Sequence, residues 1–255
     1  MRAKLLLSRQ PRLYEWTHRG HALLRYLLRK PHEPDFAAFR KFPDRQGIFL
    51  DVGANIGQSA MSFRLFNRTT AILSVEANPL LERDLRRVRR IVRGFDYKMC
   101  AAGAEPGTAT LHIPTYRGLP LTGEASVNAH EALEGWWTQQ QGVSDANNHV
   151  KLQTVEVESV RLDDLSLTPA FVKVDVEGFE LEVLRGLAAT LAAHKPIVLV
   201  ERPENPELPR FLAEFGYSAF SYRPSSDSFE SDVGGLTQNV FFLPADVAAQ
   251  AVAAH

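Results

Sequence analysis

Cysteine is nearly absent: Cys100 is the only one in 255 residues, so no disulfide can form within the chain, and a reducing compartment fits that usage. Long apolar runs are missing too. The longest near the start, Leu5-Leu6-Leu7, falls far short of a signal-peptide core or of the ~20 residues of a membrane span. Export and membrane spanning are disfavoured, and a cytoplasmic location is expected. No internal repeat or low-complexity tract occurs. Hydrophobic residues at 45% and charged residues at 23% are ordinary globular values, which argues against a disordered, collagenous or disulfide-scaffold chain. The length suits one large α/β domain or two small ones.

A net charge of either sign is also lacking, but the total of -1 conceals a division. Eight basic residues against Glu15 alone leave residues 1–30 at +7, so the remainder carries -8. Residues 1–32 read as a basic helical extension, with Leu5, Leu6, Leu13, Trp16, Leu23, Leu24, Leu27 and Leu28 at loose helical spacing up to Pro31 and Pro34. This extension is expected to cap the main domain or to meet an anionic partner or membrane surface. Residues 33–244 form the main domain, and 245–255 a C-terminal tail.

Beyond Pro34, short apolar runs alternate with helical stretches, the pattern of βα units around a mostly parallel sheet. Strands are expected at Gly47–Val52, Thr70–Glu76, Tyr97–Ala101, Leu152–Val160, Phe171–Asp175, Ile197–Glu201, Tyr217–Tyr222 and Val240–Leu243, with Thr108–Ile113 extended. Helices are expected at Gln58–Phe66, Pro79 to about Val92, Glu180–His194 and Pro209–Phe215. Residues 114–150 lack periodicity, as functional or disordered segments do.

The most informative stretch is Asp51-Val-Gly-Ala-Asn-Ile-Gly57, between a strand and a helix. Gly53 and Gly57 let the backbone turn sharply and bring a ligand close to main-chain N–H groups and a helix start. The spacing is G-x-N-x-G, not the G-x-G-x-x-G of dinucleotide-binding turns, and Asp51 would repel a pyrophosphate but suit a cationic ligand. Glu76 closes the second strand nineteen residues after Gly57, where a carboxylate can accept hydrogen bonds from a ribose diol. The alternative is a plain tight loop with Glu76 capping the helix near Pro79.

These residues, with Val75-Glu-Ala-Asn-Pro79, Arg161-Leu-Asp-Asp-Leu165 and the run from Phe171 to Gly186, resemble the FkbM family of S-adenosylmethionine-dependent methyltransferases over roughly residues 33–244. The resemblance implies an α/β, Rossmann-like class I methyltransferase fold: a seven-stranded, mainly parallel sheet whose last strand, Val240–Leu243, runs antiparallel beside the fifth. It also implies that Gly53, Asn55 and Gly57 line the methionine and adenosine portion of S-adenosylmethionine, with Asp51 beneath, Glu76 on the ribose and Asn78 near the adenine. Met99-Cys-Ala-Ala102 lacks the acid that many methyltransferases place near the adenine amino group.

In Lys173-Val-Asp-Val-Glu177 the charged residues alternate, which places Asp175 and Glu177 at the strand's carboxyl edge. They are the candidate catalytic bases for an alcohol acceptor, with Glu201 a third acid in reach. An ion pair from Lys173 and a helix cap are the structural alternative. Three such carboxylates could also hold Mg²⁺, although no metal ligand set is assigned. His130 and His149 are further base candidates, and Trp136 and Trp137 a candidate apolar wall. Arg83, Arg86, Arg87, Arg89, Arg90 and Arg93 read first as a solvated helix face; no nucleic-acid signature accompanies them.

The expected function is methyl transfer from S-adenosylmethionine, with S-adenosylhomocysteine as product, to a hydroxyl of a sugar, glycan, glycolipid or secondary metabolite. An NAD-dependent oxidoreductase on a related fold and a non-catalytic scaffold are the alternatives.

Overall fold

The computed structural model describes residues 20–42, 45–116, 118–134, 150–201, 205–231 and 239–253. A first helix, α1 (residues 20–27), leads through Pro31 into a 3-10 segment, Pro34–Lys41. Its two phenylalanines, Phe36 and Phe39, are fully buried. The main sheet then begins with β1 (Ile48–Val52), α2 (Gln58–Phe66), β2 (Ala71–Glu76), α3 (Glu82–Ile91) and β3 (Phe95–Met99). Next come β4 (Ala101–Ala102), β5 (Gly107–Tyr116), β6 (Leu119–Pro120), α4 (Ala129–Glu134) and β7 (Val150–Val160). The chain re-enters the main sheet as β8 (Pro169–Val174), followed by α5 (Glu180–Arg185), α6 (Ala188–His194), β9 (Ile197–Glu201) and α7 (Glu207–Glu214). It closes with β10 (Tyr217–Arg223), β11 (Ser228–Ser231), β12 (Asn239–Pro244) and α8 (Ala245–Ala253).

The main sheet has the order β11-β10-β12-β9-β8-β1-β2-β3. Strands β3, β2, β1, β8 and β9 pair in parallel, and β12 inserts antiparallel between β9 and β10. This is the expected mainly parallel sheet with Val240–Leu243 reversed beside the fifth strand. An eighth strand, β11, extends the edge by a hairpin with β10.

Because successive strand residues face opposite ways, the sheet has two cores. Phe49 and Phe171 point to a face packed with aromatic rings, where Phe39 meets Phe36, Phe49, Phe63, Phe171 and Phe241 at centroid distances of 5.0 to 5.7 Å. Leu50, Val52, Val172 and Val174 point to the other, an aliphatic core covered by α5, α6 and α7. Burying each such side chain contributes ~1.5–3 kcal/mol, so Phe36 and Phe39 tie the 3-10 segment firmly to the domain.

Three expected elements differ. The third strand runs Phe95–Met99, and Ala101–Ala102 crosses instead to a second, four-stranded sheet of order β4-β7-β5-β6. The extended segment and the strand read separately in the sequence pair antiparallel as β5 and β7, Gly107↔Ser159 through Tyr116↔Val150. The single helix expected over Glu180–His194 breaks at Gly186 and Leu187. There the chain presses against Gly103: a Cβ on Gly186 would lie 2.1 Å from the Gly103 carbonyl oxygen. The residues after β12 carry α8, with Val247 buried in the aromatic core. Among the described residues, no helix is long and apolar enough to cross a membrane.

Candidate active site

The carboxyl ends of β1, β2 and β8 meet where the strand order reverses direction, and a cleft of ≈ 650 Å³, counted out to its open mouth, lies there. Gly53, Asn55, Glu76, Asp175 and Glu177 all line it. Asp51, Gly57 and Asn78 do not; they shape it from behind.

The turn after β1 requires its glycines. Gly53 has φ +83°, and a Cβ there would stand 1.6 Å from the backbone oxygen of Asp175, so β1 and β8 close on each other at this point only through glycine. Gly57, at φ +85°, starts α2 and packs on Val88 of α3, where a Cβ would lie 2.8 Å from a valine methyl. The Gly53 and Ala54 N–H groups donate to the Val75 carbonyl at 2.9 and 3.1 Å, locking the turn onto β2. That leaves the Asn55 N–H free to donate to Glu76 Oε2 at 2.7 Å.

Glu76 Oε1 accepts from the Asn78 N–H at 2.8 Å. Both carboxylate oxygens are thus aimed by backbone donors, and each keeps a second lone pair for hydroxyl donors of a ligand. Burial pushes the Glu76 carboxyl up to about 7, the two N–H donors opposing it and the charges of Asp51 and Asp175 adding to it. Helix capping near Pro79 falls instead to Asn78, whose Oδ1 accepts from the Leu80 N–H at 3.0 Å. Its Nδ2 donates to the Thr122 carbonyl at 3.2 Å.

Asp51 is fully buried behind the glycine turn. Its Oδ2 accepts from Ser74 at 2.7 Å, while Oδ1 has no hydrogen-bond donor among the described residues. Burial raises its carboxyl to about 6, against the pull of Lys173 and Ser74.

At the end of β8, Lys173 Nζ donates to Asp175 Oδ2 at 2.6 Å. The two readings of Asp175 therefore hold together: it pairs with Lys173 and it faces the cleft. Burial alone would favour the neutral forms, yet Asp175, Asp51 and Glu201 hold the lysine above its ordinary value, and Lys173 holds Asp175 below its own. Glu177, in the left-handed region at φ +52°, stands at the solvent-exposed mouth. Partial desolvation, then the carboxylates of Asp175, Glu124, Glu201 and Glu180, push its carboxyl upward, while water on the open side screens the shift. The neighbouring Glu180 Oε1 accepts from the Gly178 N–H at 3.0 Å and so fixes the turn before the helix, whose N-cap residue, Phe179, makes no side-chain cap: neither Asp175 nor Glu177 caps it.

The far wall lies outside every motif in the sequence. Thr122, Gly123, Ala125, Ser126 and Val127, from the stretch read as irregular, roof the cleft between β6 and α4. Ser126 anchors this roof by donating from Oγ to the Glu177 carbonyl at 2.7 Å, and by backbone pairing with His112. Leu81, Cys100, Leu111 and Phe179 supply an apolar side suited to a flat heterocycle. Gly123 and the length of the unpatterned stretch were the only signals of this roof. His130 is exposed on α4 and is not among the lining residues; His149, Trp136 and Trp137 fall outside the described residues. Among the described residues no group of three or more His, Cys, Asp or Glu side chains is placed to hold a metal ion.

The strand order, with its reversed β12, and an acidic ligand cleft at the ends of β1, β2 and β8 define a Rossmann-like class I methyltransferase fold. The chain belongs to the FkbM methyltransferase-domain family, whose model matches residues 51–219, about two thirds of its length. It is 29% identical over 154 residues to "Methyltransferase 1" of Beauveria bassiana, a match spanning 57% of this chain and 60% of that protein. Among solved structures it is similar to the methyltransferase FkbM of Methylobacillus flagellatus, with TM-score 0.47 and 16% identity over 78% of this chain and 44% of that one. It is also similar to the precorrin-6y C5,15-methyltransferase of Geobacter metallireducens, with TM-score 0.41 and 13% identity over 81% and 82% of the two chains. Both likenesses are partial, and the fold assignment rests on the strand order.

Proposed function

We propose that this protein binds S-adenosylmethionine in the cleft and transfers its methyl group to a hydroxyl oxygen of a sugar or a similar polyhydroxyl acceptor. The observation that carries the cofactor reading is the Glu76 carboxylate, aimed by the Asn55 and Asn78 N–H groups at the cleft it lines. The residues fit such a group: Glu76 for the ribose diol, Leu81, Leu111 and Phe179 for the base, and Gly53 and Asn55 for the amino-acid portion. No basic side chain lines the cleft among the described residues, while Glu76, Asp175 and Glu177 do, and this favours a cation over a pyrophosphate.

When bound, the cofactor supplies a methyl carbon made electrophilic by its sulfonium. The chain's own task is to align the acceptor oxygen in line, exclude water and remove a proton. Glu177 is the base this arrangement favours, because its raised carboxyl lies nearer to neutral pH than an ordinary glutamate. Asp175, kept ionised by Lys173, is the weaker base and would orient an acceptor hydroxyl and offset the positive charge of a bound sulfonium. Such carboxylates suit hydroxyl donors, which supports a polyhydroxyl acceptor.

Titration calorimetry tests the first half: saturable binding of S-adenosylhomocysteine with none of NAD is expected, and binding of NAD alone would refute it. A methyl-transfer assay over candidate sugars and glycolipids tests the second. Glu177→Gln should lower kcat ~10²-fold or more with KM little changed. Unchanged kcat would remove Glu177 from the role of base.

A further inference from the structure

A second concavity lies on the aromatic-core side, between α1 and α3, and the cofactor reading does not use it. It is open, ≈ 1380 Å³ counted to its mouth, and Leu23, Ile56, Leu80, Arg83, Arg87 and Ile91 are among its walls. Among the described residues, only one face of α1 is packed: Ala22 and Tyr26 rest on the core. Leu24, Leu27 and Leu28 turn outward, Leu27 being 68% exposed, and Leu80 and Ile91 continue the apolar surface on the far side of the groove. Clustered exposure of so many large apolar groups marks an interaction surface rather than ordinary surface scatter.

The rim of this surface is basic. Helix α3 with the residues that follow it carries six arginines from Arg83 to Arg93 against Glu82 and Asp84. Three of them are spoken for, in pairs Arg86–Glu82, Arg87–Asp84 and Arg89–Asp96. Among the described residues, Arg83 and Arg90 have no such partner and are exposed. Arg29 and Lys30 add charge beside the α1 leucines, and no acid lies in residues 20–30.

From leucines flanked by basic residues, Arg83 and Arg90 among them without an acid partner, we infer that this face docks on an anionic lipid surface, with the leucines of α1 and its end entering the acyl boundary and the rim meeting headgroup charges. A nucleic acid or other soluble polyanion would use the arginines and leave the leucines without a role. A second copy apposed through the same face would bring like charges together. The placement also gives docking a consequence. Ile56 and Leu80 wall the groove while their chain neighbours Asn55 and Leu81 line the cleft, so the docked face adjoins the cleft's wall.

Co-sedimentation of the full chain with phosphatidylcholine vesicles, with and without phosphatidylserine, tests this. Binding is expected only with the anionic lipid and should fall as salt shortens the screening length. Arg83→Glu with Arg90→Glu should weaken it roughly tenfold or more. Leu24→Ser, Leu27→Ser and Leu28→Ser together should abolish it with thermal melting unchanged, since these side chains are exposed. Were that triple variant to melt early, the arginine pair alone would decide. The proposal is overturned if the protein ignores both vesicles, or if the leucine variant binds anionic vesicles as tightly as the parent, which would mark a polyanion surface. It is also overturned if those leucines hold a dimer together in solution while no vesicle is bound.

Discussion

Lys173 Nζ and Asp175 Oδ2 lie 2.6 Å apart, with the lysine side chain 2% exposed and the aspartate 19%. The pair joins the sealed interior of β8 to the open cleft. Lys173→Met would leave Asp175 and Asp51 facing each other without their cation. A loss of about 3 kcal/mol is expected in urea unfolding, and Lys173→Met with Asp175→Asn should recover part of it. The folded pKa of Asp175 is lowered, so its contribution is present above pH 3.8 and disappears as pH falls through the folded value. The Lys173→Met protein should lose that acid sensitivity.

Gly53→Ala meets two obstacles at once, a φ of +83° and the Asp175 carbonyl 1.6 Å from the new methyl. The loss of stability should exceed ~1 kcal/mol, because β1 and β8 must part to admit the methyl. Chemical denaturation would read it, and a smaller loss would mean that the turn can move without opening the sheet.

Glu76 predicts a pH dependence of opposite sign for stability and for binding. Its folded carboxyl is raised to about 7, so its stabilising contribution is complete below pH 4.5 and is lost as pH rises through 7. Ribose hydroxyls favour the ionised form, so S-adenosylhomocysteine affinity should climb over that same rise. Glu76→Gln should flatten the binding profile in calorimetry and reduce the stability slope in melting, both measured from pH 5 to 8, leaving the part due to Asp51, whose carboxyl is raised to about 6. A binding slope that persists in the variant would move that titration to another group.

Asn78→Ala removes a cap and a tether together, the Leu80 N–H bond and the Thr122 carbonyl bond. The cap alone is worth ~1 kcal/mol. If the tether holds the roof, S-adenosylhomocysteine affinity should fall further than for Thr122→Ala, which keeps the backbone carbonyl that Asn78 uses. Equal affinities would show that the roof stands without it.

Much of the main sheet was legible because its signals are local. Phe49-Leu50 and Phe171-Val172 read as buried strands, Gly53 and Gly57 as a sharp turn, and Glu76 as a strand-end acid, each from neighbours within a few positions. The helix break at Gly186 was not legible, since the groups that meet it, Gly103 and Asp163, are far away in the chain. The roof from Thr122 to Val127 was hidden for a similar reason. Its short, mixed residues have no periodicity of their own and gain their place from Asn78 and Glu177.

What the sequence alone determined is the alternation that builds a doubly wound sheet, the residue types at the strand tips, and a basic, leucine-bearing start set against an acidic remainder. Tertiary structure decided which tip residues meet. It set Lys173 against Asp175, aimed Glu76 with donors from two turns, and left Asp51 behind the wall while Glu177 reached the mouth. It also brought the α1 leucines beside the α3 arginines. Composition and period act along the chain, whereas charge pairing, desolvation and close backbone approach depend on distances that exist only once the sheet has closed.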